Sequence, residues 1–591
     1  MLELLTQPVT SVIARHLKLE PSRIAALYAP PGKGFAGDLA LPCFQLAKAA
    51  GMSPPALAAE LSAVLAGLDL GLKAEQAGPF VNLTFAPARV ASRLLPELSA
   101  DPSVVLRATV GAGQTVCIDY SSPNIAKHMA FHHLRGTMIG NALSRCYAAA
   151  GYKVVRINFL GDWGTAFGRL IAGFKRENLT IADVERAPDK VTFLNDLYVR
   201  ISQAEQADPS VSEQARVWSK KLEDGDPEVR AIWAALRQAS IDELMKIYAL
   251  LGVDFDSWNG EAHYNDKTAP LVEELEAKGL TRVDEGATVV DLSGFGLEKP
   301  ALIRRADGGS FYATRDIAAC DDRFREFAFD RSLYVVDLGQ SLHFKEWFTI
   351  VKLLERPYAA RLRHVGFGIV LMWNDEPGPG LPAGWGRGRS RGGRVMLLRD
   401  VLEEAIERAR AIVTEKNPDL PERERDAIAR AVGVGALVFN DLKNARTNDV
   451  KFKFEDALSM QGETGPYLQY AHARLCSIER KFAEQHGRPR AFDAARLSRE
   501  EEKQVFLAVA RLRSRLERTV ETDEPSVLAQ GLLALAGSVA SWLTAGNQDA
   551  SMRVLCSDAE LASARYGLVR VARVALGQGL QLLGLEAPER M

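Results

Sequence analysis

Between about residues 110 and 400, apolar runs typical of β-strands alternate with stretches of helical periodicity. The strand-like runs cover residues 115–118, 153–158, 288–292, 332–336 and 364–371. This alternation predicts a parallel, doubly wound (Rossmann-like) sheet, because parallel strands are joined by crossover connections that are usually helices. Ligands of such sheets bind at the carboxyl ends of the strands. A charged, strand-free stretch over about 172–248 predicts a helical insertion in this unit.

Regions of different character flank this α/β unit. Near the N-terminus, a predicted helix at about 5–17 precedes a turn-rich stretch and a run at 78–85 with the alternation of a half-buried strand. After Pro421, Leu, Ala and Val recur at helical spacing to the end of the chain. We therefore predict a multidomain α/β protein with four parts: a small α/β domain (1–108), a Rossmann-like domain (109–400) containing the insertion, a helical connector (401–454) and an α-helical bundle (455–591).

Charge and cysteine usage limit the function classes. A chain of 591 residues is too long for one hydrophobic core, and its net charge of −2 excludes a strongly basic nucleic-acid coat. Basic clusters at 387–394 and 511–518 still allow contact with RNA phosphates, although a solvated helix face explains the second cluster equally well. The six cysteines lack a C-x-x-C pair, which favours reduced thiols in a cytosol over a zinc module.

Features of membrane or secreted proteins are not evident in the sequence. No apolar run approaches the roughly 20 residues that a membrane span requires. The N-terminus resembles an amphipathic helix and lacks the basic and apolar blocks of a secretory signal. These features predict a cytoplasmic protein without a membrane partner.

A polar motif lies directly after the first strand of the α/β unit. Residues 119–135 read Asp-Tyr-Ser-Ser-Pro-Asn-Ile-Ala-Lys-His-Met-Ala-Phe-His-His-Leu-Arg, and a helix is predicted from about His132. Where a strand leads through a loop into a helix, free backbone N–H groups and the positive end of the helix dipole form a natural anion site. A basic loop with solvated side chains is the alternative interpretation.

This motif resembles the signature of arginyl-tRNA synthetases, a class I aminoacyl-tRNA synthetase family, in which Ser-x-Pro-Asn-x-x-Lys precedes His-x-Gly-His. Six residues match it: Ser122, Pro123, Asn124, Lys127, His133 and Arg135. The tetrapeptide differs, because Ala130 and His132 stand where the family usually has His and Gly. The resemblance implies catalytic roles at the ATP phosphates for Lys127, His132 and His133. It also implies ATP binding by Ser122, His128 and His133, and either His128 or His132 is a candidate for the missing imidazole.

A second basic segment, 385–394, stands where class I synthetases usually carry Lys-Met-Ser-Lys-Ser. Its Ser390-Arg391-x-Gly393 core is similar to the Thr/Ser-Arg-x-Gly version of arginyl enzymes. The resemblance implies that Arg389 and Arg391 assist catalysis and that Ser390 binds ATP. A disordered surface loop is the alternative, because glycine at this density is flexible either way.

Recognition of arginine requires acidic and amide groups, because a guanidinium offers five fixed donors and no acceptor. The resemblance places five residues at the substrate: Asp119, Asn124, Tyr312, Asp316 and Gln340. A bidentate carboxylate would give the strongest contact, and a tyrosine can stack on the guanidinium or orient it. A further run, 158–165, matches the family's Asn-His-x-Gly-Asp-Trp-Gly, with Phe159 in place of His.

Aromatic and amide residues near both ends are similar to the family's tRNA contacts. The resemblance implies that Phe80 and Asn82 contact a D-loop base, and that Tyr467, Tyr470 and Arg474 lie on the anticodon-binding helix. Core packing is the alternative for Phe80, and it is expected for at least one of the two tyrosines.

The resemblance covers nearly the whole chain and implies an arginine–tRNA ligase that forms arginyl-tRNA from ATP, L-arginine and tRNA(Arg). Mg²⁺ is expected to accompany ATP without a dedicated protein metal site. A monomer is expected, as in most of the family. Two alternatives stay open: a paralogue that transfers arginine to a non-tRNA acceptor, and a catalytically reduced tRNA-binding regulator.

Overall fold

The structure is a computed structural model that describes residues 1–32, 34–306, 308–309, 311–374, 384–387 and 396–591. Helices dominate these residues, and the strands form four small sheets among them. The parallel sheet at the centre positions the candidate site.

The N-terminal region is a three-stranded antiparallel sheet covered by helices. Its elements are helices α1 (Glu3–Leu17), α2 (Pro21–Ala25), α3 (Phe44–Ala50), α4 (Pro54–Ala66) and α5 (Pro87–Ala100), and strands β1 (Leu39–Pro42), β2 (Leu72–Ala77) and β3 (Phe80–Phe85). Strand β3 is central and pairs with both neighbours. Val81, Asn82 and Leu83 are all buried, so both faces of β3 are covered here, whereas the sequence predicted a strand with one exposed face.

The remaining strands build the central sheet and two smaller ones. They are β4 (Thr115–Asp119), β5 (Lys153–Ile157), β6 (Thr281–Asp284), β7 (Ala287–Val290), β8 (Ala301–Arg304), β9 (Arg331–Tyr334), β10 (Leu362–His364), β11 (Val370–Asn374), β12 (Gly384–Arg387) and β13 (Val450–Phe452). Four of them form the parallel sheet, in the order β10-β9-β4-β5. This order confirms the predicted doubly wound core.

Two strand predictions require correction. The run at 288–292 falls on β7, which lies in a separate antiparallel sheet with β6 and β8. Glu285 and Gly286 between β6 and β7 have φ of 48° and 82°, the geometry of a tight hairpin turn rather than of a crossover. The run at 364–371 is not one strand, because β10 ends at His364 and β11 begins at Val370.

Helices form the rest of the molecule. They are α6 (His133–Ala149), α7 (Thr165–Arg176), α8 (Ile181–Arg186), α9 (Lys190–Ala207), α10 (Pro209–Glu223), α11 (Pro227–Leu251), α12 (Glu261–Tyr264), α13 (Thr268–Ala277), α14 (Tyr312–Phe327), α15 (Ser341–Leu353), α16 (Leu398–Lys416), α17 (Glu422–Leu442), α18 (Phe454–Ala457), α19 (Gly465–His486), α20 (Glu500–Thr522), α21 (Ser526–Gln548) and α22 (Ala559–Leu582). Helices α7 to α11 form the insertion after β5, and α19 to α22 form the C-terminal bundle.

Helix α20 joins the bundle to the N-terminal region. The Lys503 ammonium is buried and lies 3.1 Å from the Asp38 carboxylate. Arg511 donates to the Asp38 carbonyl at 2.8 Å, and Arg513 donates to the Val104 carbonyl at 2.7 Å. At least these two arginines of the 511–518 cluster therefore donate hydrogen bonds to backbone carbonyls of the protein itself.

Helix α21, Ser526–Gln548, is the one helix among the described residues that is long and apolar enough to cross a membrane by length and composition. Half of its apolar window is buried inside the protein. It packs against α20 and α22, so the core of the bundle accounts for its apolar residues.

Candidate functional site

A cleft of about 520 Å³ opens at the carboxyl ends of β4 and β9. Its walls are the loop after β4, the first turn of α6 and the segments 335–337 and 367–370. From β4 the sheet continues to β5 on one side and to β9 on the other, so the cleft lies at the point where the strand order reverses. This is where doubly wound sheets bind their ligands.

The loop after β4 has an unusual backbone. Ser121, Ser122 and Ala126 have φ of 68°, 42° and 63°, a region that favours glycine. Neighbouring groups hold this conformation: Ser121 Oγ lies 2.7 Å from the Tyr248 hydroxyl, and the Ser122 N–H donates to Asn158 Oδ1 at 3.1 Å. Strain that the surroundings maintain in this way is typical of functional sites.

Two imidazoles meet at the start of α6. The rings of His132 and His133 lie 4.1 Å apart, and both line the cleft. Burial lowers the pKa of His133 to about 4, and the charge of His132 adds to this shift, so His133 is neutral near pH 7. His133 Nδ1 lies 2.9 Å from the Ala130 nitrogen and 3.1 Å from the Ala130 carbonyl oxygen, so it accepts from the first or donates to the second according to the tautomer. His133 is therefore a neutral imidazole beside the cleft.

Two other residues predicted at the phosphates contact the helical insertion instead. Lys127 Nζ lies 4.8 Å from the centre of the Tyr198 ring, and His128 Nε2 lies 2.9 Å from Thr192 Oγ1, both on α9. Neither is among the described residues that line the cleft. The other predicted phosphate contacts, Arg389, Ser390 and Arg391, lie outside the described residues.

An acidic corner lies between α14 and α15. Asp316 Oδ2 and His343 Nε2 are 2.6 Å apart. Burial lowers the pKa of His343, but the hydrogen bond and the charge of Asp316 outweigh burial and raise it above its ordinary value. Tyr312 and Gln340 are exposed at the starts of α14 and α15, so three of the five predicted arginine contacts lie at the beginnings of two adjacent helices.

Sequence reasoning missed a second carboxylate in this corner, Glu261. Burial raises the pKa of Glu261 to about 7, Arg315 opposes the shift, and the charge of Asp316 adds to it. Glu261 Oε2 lies 3.3 Å from Arg315 Nη2, and the Arg315 guanidinium lies 5.1 Å from the centre of the Tyr312 ring. The corner thus already holds a guanidinium between a carboxylate and an aromatic face. In the sequence, Glu261 is one of 75 acidic residues and lies in no recognised motif.

Asp119 lies beneath the cleft and is engaged by the protein itself. Its Oδ1 accepts from Ser122 Oγ at 2.7 Å, and its Oδ2 lies 2.9 Å from Arg323 Nη1. Burial raises the pKa of Asp119, and the charge of Arg323 opposes this shift. Asp119, which Arg323 holds in place, therefore fixes the orientation of the Ser122 hydroxyl.

Asn124 is exposed in the loop after β4. A Cβ at Gly161 would lie 2.1 Å from Asn124 Oδ1, so a larger residue at 161 would require the Asn124 side chain to move. The neighbouring backbones pair, because Gly161 N–H donates to the Pro123 carbonyl at 3.1 Å and Ile125 N–H donates to the Gly161 carbonyl at 3.3 Å.

The Gly-Asp-Trp-Gly run supports the acidic corner. Asp162 accepts from Arg237 Nε at 2.7 Å and from the Ala262 N–H at 2.9 Å. Its carbonyl accepts from Trp233 Nε1 at 2.8 Å. Asp162 thereby connects helix α11 of the insertion to α12, the short helix that carries Glu261.

The two residues predicted to meet a D-loop base differ in exposure. Phe80 is exposed and packs edge-on against exposed Phe44, with ring centres 5.6 Å apart. Asn82 is buried, and its Nδ2 donates to the Ala36 carbonyl at 2.9 Å. The structure therefore pairs Phe80 with a second aromatic residue, Phe44, that the sequence did not indicate.

The start of α19 combines exposed and structural residues. Tyr470 is exposed, whereas Tyr467 and Arg474 are half-buried and Tyr467 packs against the hydrophobic core. Between them, Gln469 Nε2 donates to the Glu586 carbonyl at 2.9 Å. Part of this motif thus anchors the C-terminal residues.

Three family models match consecutive parts of the chain. The model "Arginyl tRNA synthetase N terminal domain" matches residues 5–85. The model "tRNA synthetases class I (R), catalytic domain" matches residues 99–454, and "DALR anticodon binding domain" matches residues 468–591. These matches include the parallel sheet with its cleft and the C-terminal bundle.

Full-length relatives agree with the family models. Arginine–tRNA ligase 2 of Bacillus anthracis is 39% identical over 578 residues, which cover 97% of each chain. Arginine–tRNA ligase of Streptococcus agalactiae serotype Ia is 38% identical over 573 residues, again 97% of each chain. The solved arginyl-tRNA synthetase of Thermus thermophilus superposes with a TM-score of 0.78 at 27% identity, covering 99% of this chain and 100% of that chain.

Proposed function

The chain belongs to the arginyl-tRNA synthetase family of class I, and from this premise we propose how its own residues carry the reaction. It is an arginine–tRNA ligase, which uses ATP to activate arginine and transfers the arginyl group to tRNA. The observation that carries the proposal is a donor-lined cleft at the switch point of the sheet, next to an acidic corner. The alternative acceptor and the regulator are set aside, because the similarity spans both the catalytic and the anticodon-binding regions.

We propose that ATP binds in the cleft with its phosphates at the start of α6. The helix dipole favours negative charge there, and His133 adds an imidazole that carries no positive charge near pH 7. Gly136, one residue past Arg135, lets the Phe367 ring approach the first turn of α6, since a Cβ there would lie 2.9 Å from that ring. Ser122 contributes a hydroxyl whose orientation is fixed by Asp119.

The other phosphate contacts are proposed from their motif positions. His132 supplies the second imidazole at the cleft, where it lies against His133. The remaining residues in this group are Lys127, His128, Arg389, Ser390 and Arg391. Lys127 is exposed on the same loop, and its flexible side chain allows it to leave Tyr198 for a phosphate.

We propose that the guanidinium of arginine binds in the acidic corner. Asp316 gives up its bond to His343 and pairs with the guanidinium, while Glu261 supplies the second carboxylate. Tyr312 and Gln340 line the entrance, where a ring face and an amide orient the planar group. Asn124 acts on the part of the substrate that faces the cleft. Asp119 acts on the same part through its hydrogen bond with Ser122.

Two surfaces are proposed for tRNA(Arg). The exposed Phe80–Phe44 pair offers ring faces to an unstacked base, and Asn82 shapes the strand beneath it. Tyr470 and Arg474 on α19 are the proposed anticodon contacts, with Tyr467 holding the helix against the core. With domain boundaries at residues 108, 400 and 454, the two proposed surfaces lie in separate domains.

We propose that Mg²⁺ enters with ATP and is bound through the phosphates. Asp337 is the one carboxylate among the described residues that line the cleft, and its Oδ1 already accepts from the Gly339 N–H at 2.6 Å. We also propose that the protein is a monomer and is located in the cytoplasm.

Charging of total tRNA with labelled arginine in the presence of ATP tests this assignment. Wild type is expected to incorporate arginine, and Asp316→Ala is expected to lose charging through a raised KM for arginine. Asp322→Ala is the matched control, because Asp322 lies on the same helix and pairs with Lys267 and Arg325 outside the corner. Equal arginine KM values for Asp316→Ala and wild type would refute the proposed corner.

A further inference from the structure

The outer wall of the cleft is the segment 366–369, between β10 and β11, which neither strand includes. Phe367, Gly368 and Ile369 line the cleft. A loop that follows α17 holds this wall: the Gly368 N–H donates to the Arg446 carbonyl at 2.9 Å, and the Ile369 N–H donates to Asp449 Oδ1 at 2.9 Å. The position of the wall therefore depends on the position of residues 446–449.

Arg446 connects this wall to the C-terminal bundle. Its Nη1 donates to the Gly366 carbonyl at 2.5 Å, and its Nε donates to the Asp523 carbonyl at 3.0 Å. Its backbone N–H donates to the Glu524 carboxylate at 3.1 Å. Asp523 and Glu524 form the corner between α20 and α21, so one side chain bridges the cleft wall and this corner.

Arg135 extends the same connection to α6. Its side chain is 1% exposed, and its Nη2 donates to the Arg446 carbonyl at 3.0 Å. Its Nη1 donates to the Ile369 carbonyl at 3.1 Å, and its Nε lies 3.2 Å from Asp441 Oδ1. The two opposite walls of the cleft are thereby fixed to one another through Arg135 and Arg446.

The corner itself is anchored in the parallel-sheet domain. Asp523 has φ of 54° and is buried, and its Oδ1 accepts from the Tyr147 hydroxyl at 2.6 Å. Its Oδ2 lies 3.0 Å from Arg363 Nη1. A corner held at several points is a rigid support for Arg446.

We propose that Arg446 is a positioning residue for ATP, which holds the 366–369 wall at the width that the nucleotide requires by bracing it against the α20–α21 corner. The inference rests on the proposed placement of ATP in this cleft. Removing the guanidinium leaves the Gly366 and Asp523 carbonyls without their donor and allows the wall to shift. A displacement of about 1 Å in a site of this kind costs up to about 100-fold in rate.

The test combines ATP binding at equilibrium with aminoacylation at saturating arginine and tRNA. For Arg446→Met we expect KM and Kd for ATP to rise about tenfold, with KM for arginine and tRNA changing less than about twofold. Arg446→Lys retains the charge but lacks the fork that reaches two carbonyls, so an intermediate rise is expected. This variant decides the question if Arg446→Met does not fold.

Arg363→Met is the matched control. Arg363 also binds the α20–α21 corner, because its Nη1 donates to Asp523 Oδ2 at 3.0 Å and to the Glu521 carbonyl at 3.5 Å, and neither acceptor belongs to the cleft wall. The Arg363→Met variant should keep KM and Kd for ATP at the wild-type values. Its melting temperature should fall by about as much as that of Arg446→Met. Unchanged ATP constants in a folded Arg446 variant, or an equal rise in Arg363→Met, would overturn the positioning role. If wild type itself shows no saturable ATP binding, the proposed ATP site falls together with this inference.

Discussion

Proton release on arginine binding is expected because Glu261 carries a raised pKa. Burial raises this pKa from its ordinary value of 4.5 to about 7 in the free protein, so the carboxyl is about half protonated at pH 7. A guanidinium pairs with the ionised form, and binding therefore draws Glu261 into that form. Arginine affinity should rise with pH between 6 and 8, because the ionised fraction rises through the same interval.

The size of this effect follows from the pKa. If only the ionised form binds, a pKa of about 7 makes arginine bind about tenfold more tightly at pH 8 than at pH 6. Glu261→Gln removes this titration and a charge-assisted hydrogen bond worth about 1.5–3 kcal/mol, so its KM for arginine should rise about 10–100-fold at pH 8. The amide is isosteric, which keeps the packing near Arg315 and Asp162 similar.

The assay is arginine KM and arginine Kd measured at several pH values between 6 and 8. His343 faces the same corner through Asp316, and although burial lowers its pKa, that contact raises it above the ordinary value, so His343→Gln is the control that should retain the Glu261 dependence. A flat profile for wild type, or the same tenfold dependence in Glu261→Gln, would refute the reasoning.

Four further changes have defined outcomes. His133→Ala should lower kcat by about 10²–10³, because it removes a donor to developing phosphate charge, with an unchanged melting curve; an unchanged kcat would exclude this role. Gly136→Val should abolish ATP binding in calorimetry but retain arginine binding, since the added side chain meets Phe367. Phe80→Ala should raise KM for tRNA about tenfold through lost stacking, whereas an unchanged KM would assign Phe80 to packing. Lys503→Met should lower the free energy of unfolding in urea by about 3–5 kcal/mol, because Asp38 stays buried without its partner.

The sequence predicted the central fold, because its short apolar runs mark the strands that lie buried in a doubly wound sheet. It failed at β7, where Glu285 and Gly286 make a hairpin that the apolar run alone does not reveal. It also joined β10 and β11 into one strand. A Cβ at Gly368 would lie 2.7 Å from the Asn448 carbonyl, a tertiary contact that interrupts the run and is invisible in local sequence.

The position of a candidate residue follows from the sequence where a motif fixes the backbone, whereas the direction of its side chain depends on tertiary contacts. Ser122 and His133 lie at the cleft as their positions between strand and helix suggested. Lys127 is directed towards Tyr198 by an insertion more than 60 residues away in sequence. Glu261 becomes notable only through its burial beside Asp316, a property of the folded chain.

The most direct test of the central claim is to identify the group that wild type attaches to tRNA. Total tRNA is incubated with ATP and all twenty amino acids, and the acyl group at the 3′ end is released and identified by mass spectrometry. The account predicts arginine alone, and its loss when ATP is omitted. Another amino acid on the tRNA, or no acyl group with tRNA still bound, would contradict it.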